Sequence, residues 1–218
     1  MSHFAEIFTI STTSFNARWS DQYSRAARNG SFWHPVPQES PMRRMYKPLG
    51  SVGVSHFNDI NGNYEAQLFA VGNIDHGLSP LAPPVGYTQI WTDKQSGAKQ
   101  DGAIRRPFPL TPYVALGDVV GSDSSTPPSI DDVWRVLASY IEQASFGSSS
   151  IWDSKESRSL ANVSIWGIQE PARADAADSE NAATLLGPIR ASQNYDAPAL
   201  NFAEVIKNKN IMKAPELN

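Results

Sequence analysis

The residues best equipped for chemistry are an Asp–His pair, an Asp–Asp pair and a scatter of aromatic and basic side chains. Asp75 and His76 stand together in GNIDHG, 72–77, between an apolar run and a proline-rich segment. A carboxylate beside an imidazole is a minimal acid–base couple. Adjacent side chains on an extended chain point oppositely, so the couple requires a turn. A turn in which Asp75 accepts local backbone N–H groups explains the same residues without catalysis, and is preferred. Asp131 and Asp132 precede Trp134 in SIDDVW, 129–134. They would move protons beside an aromatic wall able to stabilise a cation. A solvated turn is again the plainer reading.

Candidate ligand contacts are Trp33, His34, Arg105, Arg106 and Trp166, which lie where apolar runs approach prolines. Arg105 and Arg106 would form a charge-assisted pair with Asp118 that braces a hairpin, or Arg106 would anchor an anionic ligand; bracing is preferred. Trp33, Trp91 and Trp166 serve either a core or a ligand platform, the core being the commoner use. The histidines, His3, His34, His56 and His76, lack the close pairing of a helical or hairpin zinc site, and Cys is absent, so no metal is expected. No phosphate loop, dinucleotide fingerprint or Gly-x-Ser-x-Gly elbow occurs, and no cofactor is expected.

Composition narrows the partners. The formal net charge is −4 over 218 residues. Without a basic stripe, nucleic acid is not expected. No basic start followed by an apolar run marks a secretory signal, and no stretch reaches the roughly 18 apolar residues of a transmembrane segment. Cytoplasmic residence is the expectation.

The elements that position these residues read mainly as strands. Prolines and glycines punctuate short β-branched and aromatic runs at 6–12, 49–57, 65–74, 87–93, 113–120, 149–154 and 161–168. In the run at 87–93, Tyr87, Gln89 and Trp91 alternate with Thr88, Ile90 and Thr92. One segment argues otherwise: Ile130, Val133, Trp134, Leu137, Tyr140 and Ile141 recur at helical spacing behind Ser129.

The chain also echoes itself. SFWHPVP is followed by KPLGSVGVS, AIRRPFP by VALGDVVGS, and VSIWGIQEP by TLLGPIRAS. Repeat units at about 31–55, 103–122 and 163–192 within one all-β domain, 1–218, account for the echo. The stretch 172–183 reads as a polar loop or short helix.

The run from APPVGYTQIWTD through RRPFPLTPYVALGDVVGSDSSTPPSIDDVWRV to ANVSIWGI resembles the Vps62-related proteins, and is similar to the repeats of the adaptor-binding region of Vps13-type lipid-transfer proteins. The matching residues are Pro84–Tyr87, Trp91, Arg106–Pro109, Tyr113, Leu116–Val119 and Pro127–Ser129; Thr111 and Pro112 depart from the expected Pro-Gly before the tyrosine. The resemblance implies an all-β, prism-like fold of three antiparallel sheets with a pseudo-three-fold internal repeat, as in jacalin-like proteins. It also implies that DDVWRV is extended. We follow it over the helical spacing, keeping a turn at 129–132.

Two functions remain open. The first is a cofactor-free recognition module that binds a carbohydrate, a lipid head group or a protein peptide at its loop ends. The second is a small cofactor-independent cyclase or isomerase, with Asp75, His76, Asp131 and Asp132 as acid–base groups in an aromatic-lined pocket. A deep apolar pocket with a perturbed carboxylate favours the enzyme.

Overall fold

The computed structural model describes residues 6–38, 45–72, 77–169 and 183–213. Asp75, His76, His3 and the stretch 172–182 lie outside them. The described residues are all-β, with single 3-10 turns and no α-helix. No helix among them is long and apolar enough to cross a membrane.

Three antiparallel sheets occupy the centre. The first joins β2 (Phe15–Ser20), β3 (Ser31–Pro35) and β4 (Val52–Val54). The second joins β7 (Tyr87–Thr92), β8 (Ala103–Pro107) and β10 (Val119–Gly121). The third joins β14 (Trp152–Asp153), β15 (Ser164–Gln169) and β17 (Ile189–Ser192), with β13 (Ser145–Phe146) also on β15. Their registers coincide: Trp33 pairs with Val52, Arg105 with Val119 and Trp166 with Arg190. Each hairpin sets a tryptophan opposite a large apolar residue, Trp19 with Phe32, Trp91 with Ile104 and Trp152 with Ile165.

A register shift leaves Arg18 unpaired in β2 and Ile90 unpaired in β7. Such a bulge turns the next side chain to the other face. It therefore breaks the expected alternation in β7: Gln89 is exposed whereas Trp91 is buried. The inward result is a cluster of Trp19, Trp91 and Trp152, with ring centroids 5.3, 5.2 and 5.6 Å apart in edge-on contact. Edge-on aromatic pairs contribute roughly 0.5–1.5 kcal/mol each beyond their area burial.

The three turns after these tryptophans are built alike. The carbonyls of Asp21, Asp93 and Ser154 accept the N–H of Ser24 (2.8 Å), Ser96 (2.7 Å) and Ser157 (3.2 Å). The hydroxyls of those serines accept the N–H groups of Ala26, Ala98 and Ser159. The side chains of Asp21, Asp93 and Ser154 accept from Gly30, Gly102 and Val163, closing each loop onto the next strand. Local side-chain bonds of this kind hold a loop without help from distant packing. Tyr23, Gln95 and Glu156 take the left-handed position in each turn, with φ of 72°, 63° and 64°.

Further strands wrap the centre. A four-stranded sheet has the order β16 (Thr184–Leu185), β5 (Tyr64–Val71), β1 (Ile7–Thr12) and β19 (Ile211–Lys213). A small sheet sets β11 (Arg135–Leu137) between β6 (Leu81–Ala82) and β9 (Tyr113–Val114), and β12 (Ile141–Gln143) pairs with β18 (Glu204–Ile206). The expectation of three antiparallel sheets thus describes the centre only, since β19 on β1 and β16 on β5 are parallel additions.

The expected strand at 113–120 is two strands in different sheets, β9 and β10. It breaks where the backbones of Gly50 and Gly117 approach, so that a Cβ on Gly50 would sit 2.9 Å from the Gly117 Cα. The helical spacing after Ser129 proves extended: a turn closed by Asp132 N–H to the Ser129 carbonyl (3.1 Å) leads into β11 and a 3-10 turn, Ala138–Tyr140. Val136 and Tyr140 join the core between the outer sheets with Ile7, Leu49, Phe69 and Leu116. Tertiary burial overrides the local periodicity there.

Candidate functional site

Three backbone hydrogen bonds form a closed ring where the central sheets converge. Ser51 N–H donates to Asp118 (2.9 Å), Asp118 N–H to Ile189 (2.8 Å) and Ile189 N–H to Ser51 (2.9 Å). Around this ring the hairpin of each sheet meets the third strand of another. Three seams result. The residue after Trp33, Arg105 or Trp166 decides what fills each one: His34, Arg106 and Gly167 respectively.

The first seam, where β10 packs on β2 and β3, is closed. His34 is buried at 4% exposure. Burial, with the Arg18 guanidinium adding to it, holds the imidazole down at about 3, and the Asp132 carbonyl beside it opposes this only in part. Arg18 pairs with Asp132 at 3.8 Å, and Lys47 reaches Asp131 at 3.4 Å while lying 4.1 Å over the Trp134 ring. Tyr87 donates to the Ser129 carbonyl at 2.8 Å. Burial raises its phenol further out of reach of neutral pH, with Asp132 contributing. His34, Asp131 and Asp132 are therefore brought together, but each carboxylate faces a cation on the outer side of the seam.

The second seam is braced by charge. Arg106 grips Asp118 through Nε (2.8 Å) and Nη2 (2.9 Å), Arg190 approaches the same carboxylate at 3.4 Å, and Ala191 N–H donates to it at 2.8 Å. Asp118 is fully buried, and a bidentate pair of this kind is costly to break. A recess of about 250 Å³ beside it is lined by Arg106, Arg190 and Asn194. Arg105, by contrast, bonds the carbonyls of Asp123 (3.0 Å) and Ser124 (2.8 Å) and takes no part in the Asp118 pair.

Among the described residues the third seam is open. With no side chain at Gly167, and Ile151 as its nearest neighbour, a groove of about 670 Å³ runs between β4 and β15 and on beneath β18. Val52, Ile151, Ile168 and Val205 wall it, Gly53 and Gly167 line it with backbone alone, and Gln169 and Glu204 bring polar groups. Burial holds the Glu204 carboxyl above its ordinary range, with Arg190 opposing.

Trp33 and Trp166 occupy matching places, each donating its indole N–H at 2.9 Å to the serine two residues before it, Ser31 and Ser164. Neither lines the groove. Gly167, Glu204 and Arg190 were not anticipated from sequence. The signal for the frame was present: Trp19, Trp91 and Trp152 each stand 11 residues before Gly30, Gly102 and Val163, without a gap. Among the described residues no three His, Asp or Glu side chains gather as a metal site requires.

Comparison with known proteins places this geometry. No curated protein matches the sequence. The crystal structure of GNIP1Aa from Chromobacterium piscinae superimposes with a TM-score of 0.70 at 23% identity, over 95% of this chain and 38% of that one. The fold is thus shared with a solved β-rich protein of which this chain spans well under half the length. The family model of vacuolar protein sorting-associated protein 62 matches residues 4–217, and with nearly the whole length accounted for, the chain belongs to the Vps62 family.

Proposed function

We propose that this chain is a ligand-recognition module: one all-β domain whose three central sheets are the pseudo-equivalent faces of a prism, with the ligand held in the seam beside Gly167. Matching registers and the gapless tryptophan spacing support the repeat. The observation that carries the site is that His34 closes the first seam and Arg106 narrows the second to a recess of about 250 Å³, while the third has glycine at the same place and a groove of about 670 Å³. That volume lies within the usual range of small-ligand pockets, about 300–1,000 Å³. Apolar walls with open glycine backbones suit a ligand that has one apolar face and one hydrogen-bonding edge. A sugar, a lipid head group with its first methylenes, and an extended peptide each meet that description. The sorting role in the family's name agrees with recognition rather than turnover.

A second reading rests on Glu204. A carboxyl held above its ordinary range in an apolar groove is suited to general-acid work on a hydrophobic metabolite. In this reading Glu204 takes the role that the sequence offers to Asp75, His76, Asp131 and Asp132.

One experiment separates the two. Thermal-shift and native mass spectrometry screens against glycans, lipid head groups and peptides, and against hydrophobic metabolites, are run on the wild type and on Gly167→Val. We expect one polar class to stabilise the wild type and return unchanged, and the valine to weaken its binding at least about tenfold by filling the groove. Binding that survives Gly167→Val intact refutes the site. A metabolite returned altered, with the conversion lost in Glu204→Gln, establishes the enzyme.

A further inference from the structure

We infer that the end of the molecule formed by the three tryptophan-following turns is a docking face for an anionic lipid bilayer. This site is separate from the groove. The turns form one surface because they interlock: Lys99 N–H donates to the Gln22 carbonyl at 2.9 Å, Ala27 N–H to Lys155 at 3.2 Å, and the Trp91 indole to Ala161 at 3.0 Å. The exposed residues of 22–29, 94–101 and 155–162 include six cations, Arg25, Arg28, Lys94, Lys99, Lys155 and Arg158, against two acids, Asp101 and Glu156. The described residues hold 15 cations and 15 acids, so the described remainder carries nine against thirteen. The asymmetry is therefore concentrated at this end. Asp21, Asp93 and Asp153 lie beneath the turns, all buried and occupied by backbone N–H groups of Gly30, Gly102 and Lys155. Asp101 is drawn aside to Ser124 at 3.3 Å.

Charge alone fits any polyanion, and the apolar tips decide between them. Tyr23, 76% exposed, and Leu160, 68% exposed, stand out furthest among the exposed large hydrophobic residues, and both project from these turns. An aromatic ring and a leucine beside lysines and arginines match the layered chemistry of a bilayer surface, where head groups take the charge and the interface takes the apolar side chains. A nucleic acid gives Leu160 no apolar partner. The left-handed Tyr23 turn and its local bonds hold the tip in place before contact, so little ordering is lost on docking.

The test is flotation with vesicles of phosphatidylcholine, with and without phosphatidylserine, using the full chain. We expect binding only where phosphatidylserine is present, weakening as salt is raised. The triple variant Lys94→Glu, Lys99→Glu, Arg158→Glu should bind on the order of a hundredfold more weakly, and Tyr23→Ser with Leu160→Ser about tenfold more weakly. All these positions are exposed, and unchanged melting temperatures verify the fold. Flotation lost in Gly167→Val but kept in the triple variant would place lipid binding in the groove and overturn the inference, which keeps the two sites distinguishable. Equal binding to both vesicles, no binding at low salt, or tighter binding to duplex DNA than to vesicles overturns the inference.

Discussion

His34 carries the sharpest pH signature of any residue described. Its folded-state value of about 3 lies below the ordinary 6.5. The buried neutral ring therefore supports the fold above about pH 6.5, and that support drains as acid protonates the unfolded chain first. Between about pH 7 and about pH 5 the loss amounts to roughly 2 kcal/mol. Asp21, Asp93 and Glu204, whose carboxyls burial raises, act in the opposite direction at lower pH, so the informative quantity is the difference from His34→Gln. Denaturant unfolding at the two pH values should show a steeper loss in wild type than in His34→Gln. Parallel losses would mean that the imidazole is not held neutral by burial. At this scale the sequence was partly readable. The spacing of Arg106 and Asp118 foretold a brace across a hairpin, but the second arginine on that carboxylate, Arg190, is 72 residues away in the chain and left no local trace.

Glycines decide the fit of whole elements against the tryptophan cluster. Gly30 lies under Trp152, where a Cβ would sit 2.7 Å from the ring, and a Cβ at Gly102 would collide with the Trp19 indole. In the third central sheet Val163 holds the matching place, wholly buried in the same cluster. Overpacking of this kind costs roughly 1–3 kcal/mol. Gly102→Ala should lower the unfolding free energy by that amount, read as a lower urea midpoint at an unchanged slope, whereas a neutral result would show that Trp19 of β2 can move away from position 102. The strands β1, β5, β7 and β15 were readable from their β-branched and aromatic residues, with ends that differ from the expected ones by up to a few residues. The division of 113–120 was not, because what breaks it is the approach of Gly50 to Gly117 from a distant part of the chain. Prolines drew attention to the sequence echo, yet the echoed segments are separated by loops of unequal length. The turns after Trp19, Trp91 and Trp152 repeat without gaps because buried geometry fixes their length.

The described residues set three similar seams around one ring of backbone bonds, one closed by His34, one braced by Arg106 and one left as a groove. Family membership and the β-rich fold were readable from ordered motifs in the middle of the chain. The groove was not, since it arises from a missing side chain at Gly167 and from strands more than a hundred residues apart, β4 and β15. The apolar tips and cations of the turn end were equally silent in a chain whose overall charge is −4. The most direct test of the open seam is backbone hydrogen exchange, with and without the ligand that stabilises the protein most. Exchange should slow at 50–53, 147–151 and 167–169, the segments that line the groove, and stay unchanged at 129–134, which closes the first seam. Protection confined to 129–134, with none along the groove, would contradict the assignment and return the site to Asp131, Asp132 and His34.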